Sequence, residues 1–216
     1  MLTPITPKDV PSEILSKLNL GCGVSFYKGW LNINYWQNIP ELFYKDPNGV
    51  EGTFLLNWNL VKGIPLESDS VDICYHSHFL EHLSYEDGIR MIREVYRVLK
   101  PGGVHRLVLP DLRKWVNAYF CRDNFFFDQF RKMGVQKKDP VEWPTNGSVL
   151  TGMLHGHEHK AAWDFETLSH HLNASGFHEI KETFFQESVI PEIKEIEPYD
   201  YLRAVESLCV DSRKPV

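Results

Sequence analysis

The sequence has no CxxC pair, no block of lysine and arginine, no long apolar run and no basic-then-apolar N-terminus. Each absence removes a class of protein. The four cysteines, Cys22, Cys74, Cys121 and Cys209, are scattered without regular spacing. A disulfide framework is therefore not expected, and a reducing, cytoplasmic compartment is the simpler reading. The formal net charge is -6, which argues against affinity built on phosphate neutralisation, so no nucleic-acid partner is expected. No stretch approaches the length of a membrane span, and nothing resembles a signal peptide. Internal repeats and low-complexity tracts are missing as well. The 216 residues, 43% of them hydrophobic, suit one globular α/β domain with a full core.

The first 16 residues carry three prolines and no periodicity, and read as an extended arm. Strand character begins at Lys17–Leu20 and ends in Gly21-Cys22-Gly23. Further strands fit Trp30 to Asn34, Thr53 to Asn57 and Val71 to Tyr75. The spacing of Ile89, Ile92, Val95, Tyr96 and Leu99 predicts a helix over 86–99. Ser84 and Asp87 resemble a capping box at its start, and Lys100-Pro101-Gly102-Gly103 stops it. Val104 to Leu109 reads as a fifth strand. A second helix is expected over 165–175, with Asp164 as N-cap and Gly176 as its stop. Two last strands fit 179–184 and 204–210. Between the fifth strand and the second helix, residues 111–163 hold nine large aromatics, among them Trp115, Trp143 and Trp163. This segment reads as an insertion that covers a sheet edge or an acceptor site. Most of its aromatics should form its core, with Trp143 and Trp163 as the exceptions available for stacking on a sugar.

Alternating strands and helices predict a doubly wound, mostly parallel sheet. Ligands on such sheets bind at the carboxyl ends of the strands, near the switch in strand order. That places Gly21-Cys22-Gly23, Asn34, Asn59 and His76 around one crevice. Gly21 and Gly23 let the backbone turn sharply and approach a ligand. The dinucleotide fingerprint is incomplete, because the third glycine is lacking. Only six residues separate Gly23 from Trp30, too few for the usual crossover helix. A pyrophosphate would lack a helix N-terminus to sit on, which argues against a nicotinamide dehydrogenase.

The combination LNLGCG, GWLNIN, GIPLESDSVDICYHSHFLEHL and EVYRVLKPGG resembles class I S-adenosylmethionine-dependent methyltransferases. Within that class it is most similar to small methyltransferases of polysaccharide and surface-glycan synthesis. The similarity spans Lys17 to Leu112, and more loosely His159 to Lys214. It implies a Rossmann-like, seven-stranded sheet whose last strand is antiparallel, and S-adenosylmethionine as cofactor. By position, Gly21, Cys22 and Gly23 would meet the methionine part of the cofactor. Asn34 stands where the family grips the ribose diol with an acid. Asn59, with Leu60, stands at the adenine edge, again where an acid is usual. His76 and Ser77 would lie near the reactive methyl.

The implied reaction is O-methylation of a sugar hydroxyl in a glycan or nucleotide sugar. The alternatives are another small-molecule acceptor, or a non-catalytic module that keeps the fold. A hydroxyl needs a general base, or a metal that lowers its pKa. Asp111, at the end of the fifth strand, reads as base or acceptor contact, and equally as the N-cap of a helix starting at Leu112. His155, His157 and His159 alternate in HGHEH and would share one face of an extended segment. His159 is preferred as base, because the family habitually places a histidine before its last helix. His78, Glu81 and His82 form HxxEH, and helical spacing would put His78 beside His82. This resembles the metal-binding ExxEH of ubiquinone-type and small-RNA O-methyltransferases, while Leu-Glu-His is also common in metal-free relatives. A divalent metal is left open, as are the oligomeric state and the acceptor.

Overall fold

The computed structural model describes residues 3–45, 51–136 and 143–216. The chain enters through an edge strand, β1 (Thr3–Ile5), and one helical turn, α1 (Ser12–Leu15). The arm expected to be extended throughout therefore carries two small elements, and Val10 and Ile14 bury themselves in the core. Next come β2 (Lys17–Leu20), β3 (Leu31–Asn34), β4 (Phe43–Lys45), β5 (Phe54–Asn57) and β6 (Val71–Ser77). Helix α2 (Tyr85–Val98) leads into the long central strand β7 (Leu99–Pro110). Ser84 caps α2 by accepting from the Asp87 amide at 3.1 Å while its hydroxyl donates to the Asp87 carboxylate at 2.8 Å. The insertion folds as α3 (Leu112–Phe120), α4 (Asn124–Gln136) and α5 (Asn146–His155). Helix α6 (Phe165–Ala174) starts at Asp164, which accepts from the Thr167 amide at 2.8 Å. The chain ends with β8 (His178–Thr183), α7 (Ile193–Ile196), α8 (Tyr201–Glu206) and β9 (Ser207–Arg213).

The nine strands found among the described residues form one sheet in the order β1-β4-β5-β3-β2-β6-β7-β9-β8. The seven from β5 to β8 have the expected form: all are parallel except β9, which runs antiparallel to both neighbours. The two outer strands are an addition. β4 pairs antiparallel with β5, and β1 pairs antiparallel with β4. Three-residue strands carry too little periodicity to be read from sequence. Strand order reverses between β2 and β6, so the crevice of a doubly wound sheet opens there. No described helix is long and apolar enough to cross a membrane.

Strand alternation sorts the two faces. Leu18, Leu20, Leu31, Ile33, Cys74, Leu107 and Leu109 point to one face, against α2 and α6. Trp30, Tyr75, Val104, Val108 and Cys209 point to the other, against Ile190, Ile193 and Ile196. That second face has no crossover helix between β2 and β3, as the short Gly23–Trp30 spacing required. Buried asparagines do the work instead. The Asn32 carbonyl accepts from the Asn19 amide and from the Tyr27 N–H, both at 2.9 Å, while its own amide donates to the Tyr27 and Trp30 carbonyls. Asn19 also donates to the Ser25 carbonyl at 2.8 Å. The loop between the strands is thereby satisfied without a helix.

Arg106 on β7 holds the rest of this face. Its side chain is 0% exposed, as is that of Glu197, and the two form a bidentate pair at 2.8 and 2.9 Å. The same guanidinium reaches Thr183 Oγ1 at 2.6 Å, the Glu187 carbonyl at 3.0 Å and Asp211 Oδ1 at 3.3 Å. The insertion has a separate core of Trp115, Phe126, Phe127, Phe130, Val149 and Met153. Trp143 packs against that cluster. Trp163 is 1% exposed and belongs to the main core, so it is not available for stacking on a ligand, contrary to the sequence expectation.

Replacing Arg106 with leucine leaves two carboxylates buried without their cation. We expect a loss of about 3–5 kcal/mol in unfolding free energy by urea titration. A loss below about 1 kcal/mol would show that the pair contributes little to this face.

Candidate active site

Gly21 and Gly23 leave β2 in left-handed conformations, φ +63° and +54°, where other L residues are strained. Their surroundings differ. A Cβ on Gly21 would come within 2.2 Å of the Phe79 ring, whereas a Cβ on Gly23 would meet nothing within 4 Å. Gly21 is thus required by Phe79 packing over it, and Gly23 faces open space. The space is a crevice of about 390 Å³. One wall holds Gly21, Cys22, Gly23, Ser25, Tyr27, Tyr75, Ser77 and His78, and the other holds Glu197, Tyr199, Asp200 and Arg203. Its size and its position at the strand ends suit one cofactor-sized molecule. Burial pushes the Cys22 thiol up to about 12, so it stays protonated and inert.

Ser77 and His76 were both expected beside the reactive methyl. Adjacent residues of one strand face opposite sides, and only Ser77 lines the crevice, where Arg203 donates to its hydroxyl at 2.6 Å. His76 points into the core, 0% exposed, with its Nε2 3.2 Å from that of His105. The Nδ1 atoms of both rings are buried without a partner. Burial holds His76 down at about 4 and His105 well below its ordinary value.

Asn34 ends β3 half-buried, and no side-chain hydrogen bond engages its amide among the described residues. Its acceptor is free for a ligand. Asn59 is committed: it caps the short turn Leu60–Lys62 by accepting from the Val61 amide at 3.1 Å. Leu60 points its side chain into the core. Glu41, which sequence reading did not single out, stands at this turn. Its carboxylate lies 3.4 Å from the Asn59 amide and pairs with Lys62 at 2.7 Å, and that bond holds its carboxyl below the usual range.

His78 occupies the mouth of the crevice in a left-handed conformation, φ +50°, the kind of strain that collects at functional sites. Its Nδ1 is 3.3 Å from Glu81 Oε1 and its Nε2 is 3.2 Å from Ser207 Oγ. Glu81 is 2% exposed. Glu206 stands close by: its carboxylate accepts from Trp115 Nε1 at 3.2 Å, and burial pushes it up. The helical spacing expected of His78 and His82 is not observed. β6 runs to Ser77, and only Leu80–His82 forms a 3-10 turn, so His78 and His82 do not share a helical face. His82 has His159 as its neighbour instead, with ring centroids 4.8 Å apart. His159 lies outside the residues that line the crevice. Its Nδ1 is bonded to the Met153 carbonyl at 2.6 Å. His155 and His157 are exposed. Asp111 is 5% exposed and acts as the N-cap of α3, accepting from the Arg113 amide at 2.9 Å; burial raises its carboxyl. Arg203, Ser207 and Glu206 complete the site from the C-terminal region, where no motif marked them.

A methyltransferase-domain family matches residues 46–107. The fold is similar to an S-adenosylmethionine-dependent methyltransferase from Archaeoglobus fulgidus, at 17% identity and TM-score 0.51, covering 92% of this chain and 85% of that one. One from Thermotoga maritima gives 18% identity and TM-score 0.51 over 94% and 87%. Phosphoethanolamine N-methyltransferase 2 of Haemonchus contortus, in complex with S-adenosyl-L-methionine, gives 12% identity and TM-score 0.52 over 93% and 48%. No curated protein sequence matches the chain. The family match covers less than a third of the chain, and at these identities the likeness is one of fold, that of S-adenosylmethionine-dependent methyltransferases.

Two measurements follow. Gly23→Val should weaken S-adenosylhomocysteine binding at least about tenfold by calorimetry, about 1.4 kcal/mol, with the fold retained. Gly21→Ala should instead cost about 2–4 kcal/mol of stability through Phe79 and its left-handed backbone. Unchanged affinity in Gly23→Val would remove this crevice as the cofactor site. Separately, unfolding frees His76 to take up a proton, so acid favours the unfolded chain. Stability should fall as the pH drops from 6.5 toward about 4, by on the order of 2 kcal/mol between pH 7 and pH 5 from this residue. A His76→Leu, His105→Leu double variant should flatten that slope in urea titrations at several pH values, and an unchanged slope would assign it elsewhere.

Proposed function

We propose that this chain methylates a hydroxyl group, that of a sugar in a glycan or nucleotide sugar. The observation that carries the reading is the Ser207–His78–Glu81 array at the crevice mouth. Bound in the crevice, S-adenosylmethionine supplies an electrophilic methyl group on its sulfonium. The backbone at Gly21, Cys22 and Gly23 holds the amino-acid part, Asn34 offers its free amide oxygen to the ribose, and the Asn59-Leu60 turn flanks the adenine. Ser77 and His78 border the reacting end.

A hydroxyl must lose its proton as it is methylated, and an imidazole is matched to that task near neutral pH. Glu81 faces Nδ1 of His78 and favours the tautomer with its proton there. Nε2 is then the base, at the position where Ser207 Oγ now sits 3.2 Å away. The buried carboxylate stabilises the imidazolium that forms. Asp111 orients the start of α3, and His159 stands beside His82. The sugar assignment is supported by the groove on the insertion, about 1130 Å³, where Tyr119 and Phe120 stand beside Arg122, Asn124, Asp128 and Arg131. Flat apolar rings alternating with planar polar groups suit a polyhydroxylated ligand.

The test is transfer of a radiolabelled methyl group to a panel of monosaccharides, nucleotide sugars and oligosaccharides, with amines as a control panel. Label is expected in the carbohydrates as a methyl ether. His78→Ala should cut turnover by roughly 10²–10⁴ with S-adenosylhomocysteine affinity near wild type. Label confined to amines, or wild-type turnover in His78→Ala, would overturn the reading.

A further inference from the structure

Next to His78, outside the residues that line the crevice, three potential ligands converge. Glu81, His82 and His159 each place one donor atom within 4.8 Å of the others. Glu81 and His82 are adjacent in sequence, His159 comes from the end of the insertion, and the backbone brings them together. The Glu81 carbonyl accepts from the Lys160 amide at 2.8 Å and the Ala161 amide at 3.2 Å, which pins the end of the insertion onto the turn that carries Glu81 and His82.

Two further features point to a ligand. The Glu81 side chain is 2% exposed, yet neither carboxylate oxygen has a well-aligned hydrogen bond. His78 Nδ1 approaches only Oε1, at 3.3 Å. A buried carboxylate left in this state is costly unless a cation faces it. The second feature is the orientation of His159. Its Nδ1 donates to the Met153 carbonyl at 2.6 Å, which puts the ring proton on Nδ1 and leaves the Nε2 lone pair free. A backbone carbonyl that fixes the far nitrogen in this way is the usual support of a metal-bound histidine. The His82 ring stands nearly perpendicular to it, at 79°.

We propose that Glu81, His82 and His159 bind a divalent first-row transition ion. Two imidazole nitrogens and one carboxylate oxygen favour zinc, manganese or cobalt over magnesium or calcium, which prefer all-oxygen sites. Three protein ligands leave coordination positions open, and His82 and His159 are partly exposed. The ion shares Glu81 with His78, so it stands one carboxylate away from the proposed base. There it would lower the pKa of an acceptor hydroxyl. That role rests on the methyltransferase reading above, while the ion site does not.

The experiment uses the whole chain, stripped with chelator and dialysed. Zn²⁺, Mn²⁺ and Co²⁺ are titrated separately by calorimetry, with Co²⁺ also followed by its visible absorption. One equivalent of at least one ion is expected to bind, with Co²⁺ developing absorption bands of nitrogen–oxygen ligation. His159→Ala and Glu81→Gln should each weaken binding at least about tenfold, while His157→Ala, two residues from His159 and exposed, should stay within about threefold. His159→Gln serves as a second variant if thermal unfolding shows His159→Ala to be disrupted. Absence of saturable binding, or wild-type affinity in the His159 and Glu81 variants, overturns the site. Parallel titration with S-adenosylhomocysteine separates the two readings. Ion binding without it keeps the site and removes the methyltransferase role, and the reverse result removes the ion site alone.

Discussion

The bidentate pair between Arg106 and Glu197 is the contact on which the crevice depends. A class I sheet normally has a crossover helix beside its first two strands, and here the ten residues from Gly21 to Trp30 leave no room for one. The exposed face must be covered by something else, and the chain uses the segment between β8 and β9. That segment has little regular structure of its own, with α7 spanning only Ile193–Ile196. A guanidinium buried on β7 gives it a fixed point of attachment, at once to Glu197, Thr183 and the Glu187 carbonyl. Burying a charge pair is costly in itself. What it supplies here is position: the residues just after Glu197, through Arg203, form the outer wall of the crevice.

From that wall the polar contacts run inward in order. Arg203 donates to Ser77, Ser77 borders His78, and His78 bridges Ser207 and Glu81. The strand geometry decides which of the adjacent residues takes part. Tyr75 and Ser77 face the crevice side, and His76 between them faces the helices. The chain break from strand to left-handed backbone at His78 is what turns the next side chain toward the mouth rather than back into alternation.

The local features of the fold were legible in the sequence. Apolar spacing marked α2, Ser84 and Asp164 marked the starts of α2 and α6, and the Gly21–Gly23 turn marked the end of β2, because each signal lies within a few residues of the element it governs. The Gly23–Trp30 spacing likewise announced a missing helix. Features made by distant partners were not legible. β1 and β4 exist only through each other and β5, and nothing near Arg106 in sequence signals its partner, because Glu197 lies 91 residues away. Within the site, the histidines were noticed but their grouping was not. HxxEH suggested that His78 and His82 share a helical face. The chain instead forms a strand end and a 3-10 turn there, and the neighbour of His82 arrives from the end of the insertion.

The insertion is joined to the sheet at a single place. Residues 111 and 163 are bridge partners, and the Leu112 amide donates to the Trp163 carbonyl at 2.9 Å. The insertion therefore leaves the sheet and returns to it at one place, stapled at its base by the buried Asp111 and Trp163. Its own core of Trp115, Phe127 and Phe130 is separate from the main core. Changes to the groove on α3–α5 need not repack the sheet. His159 lies at the exit of this lobe, yet the Glu81 carbonyl ties the next two residues down. The groove surface is thus free to vary while His159 is held beside Glu81 and His82.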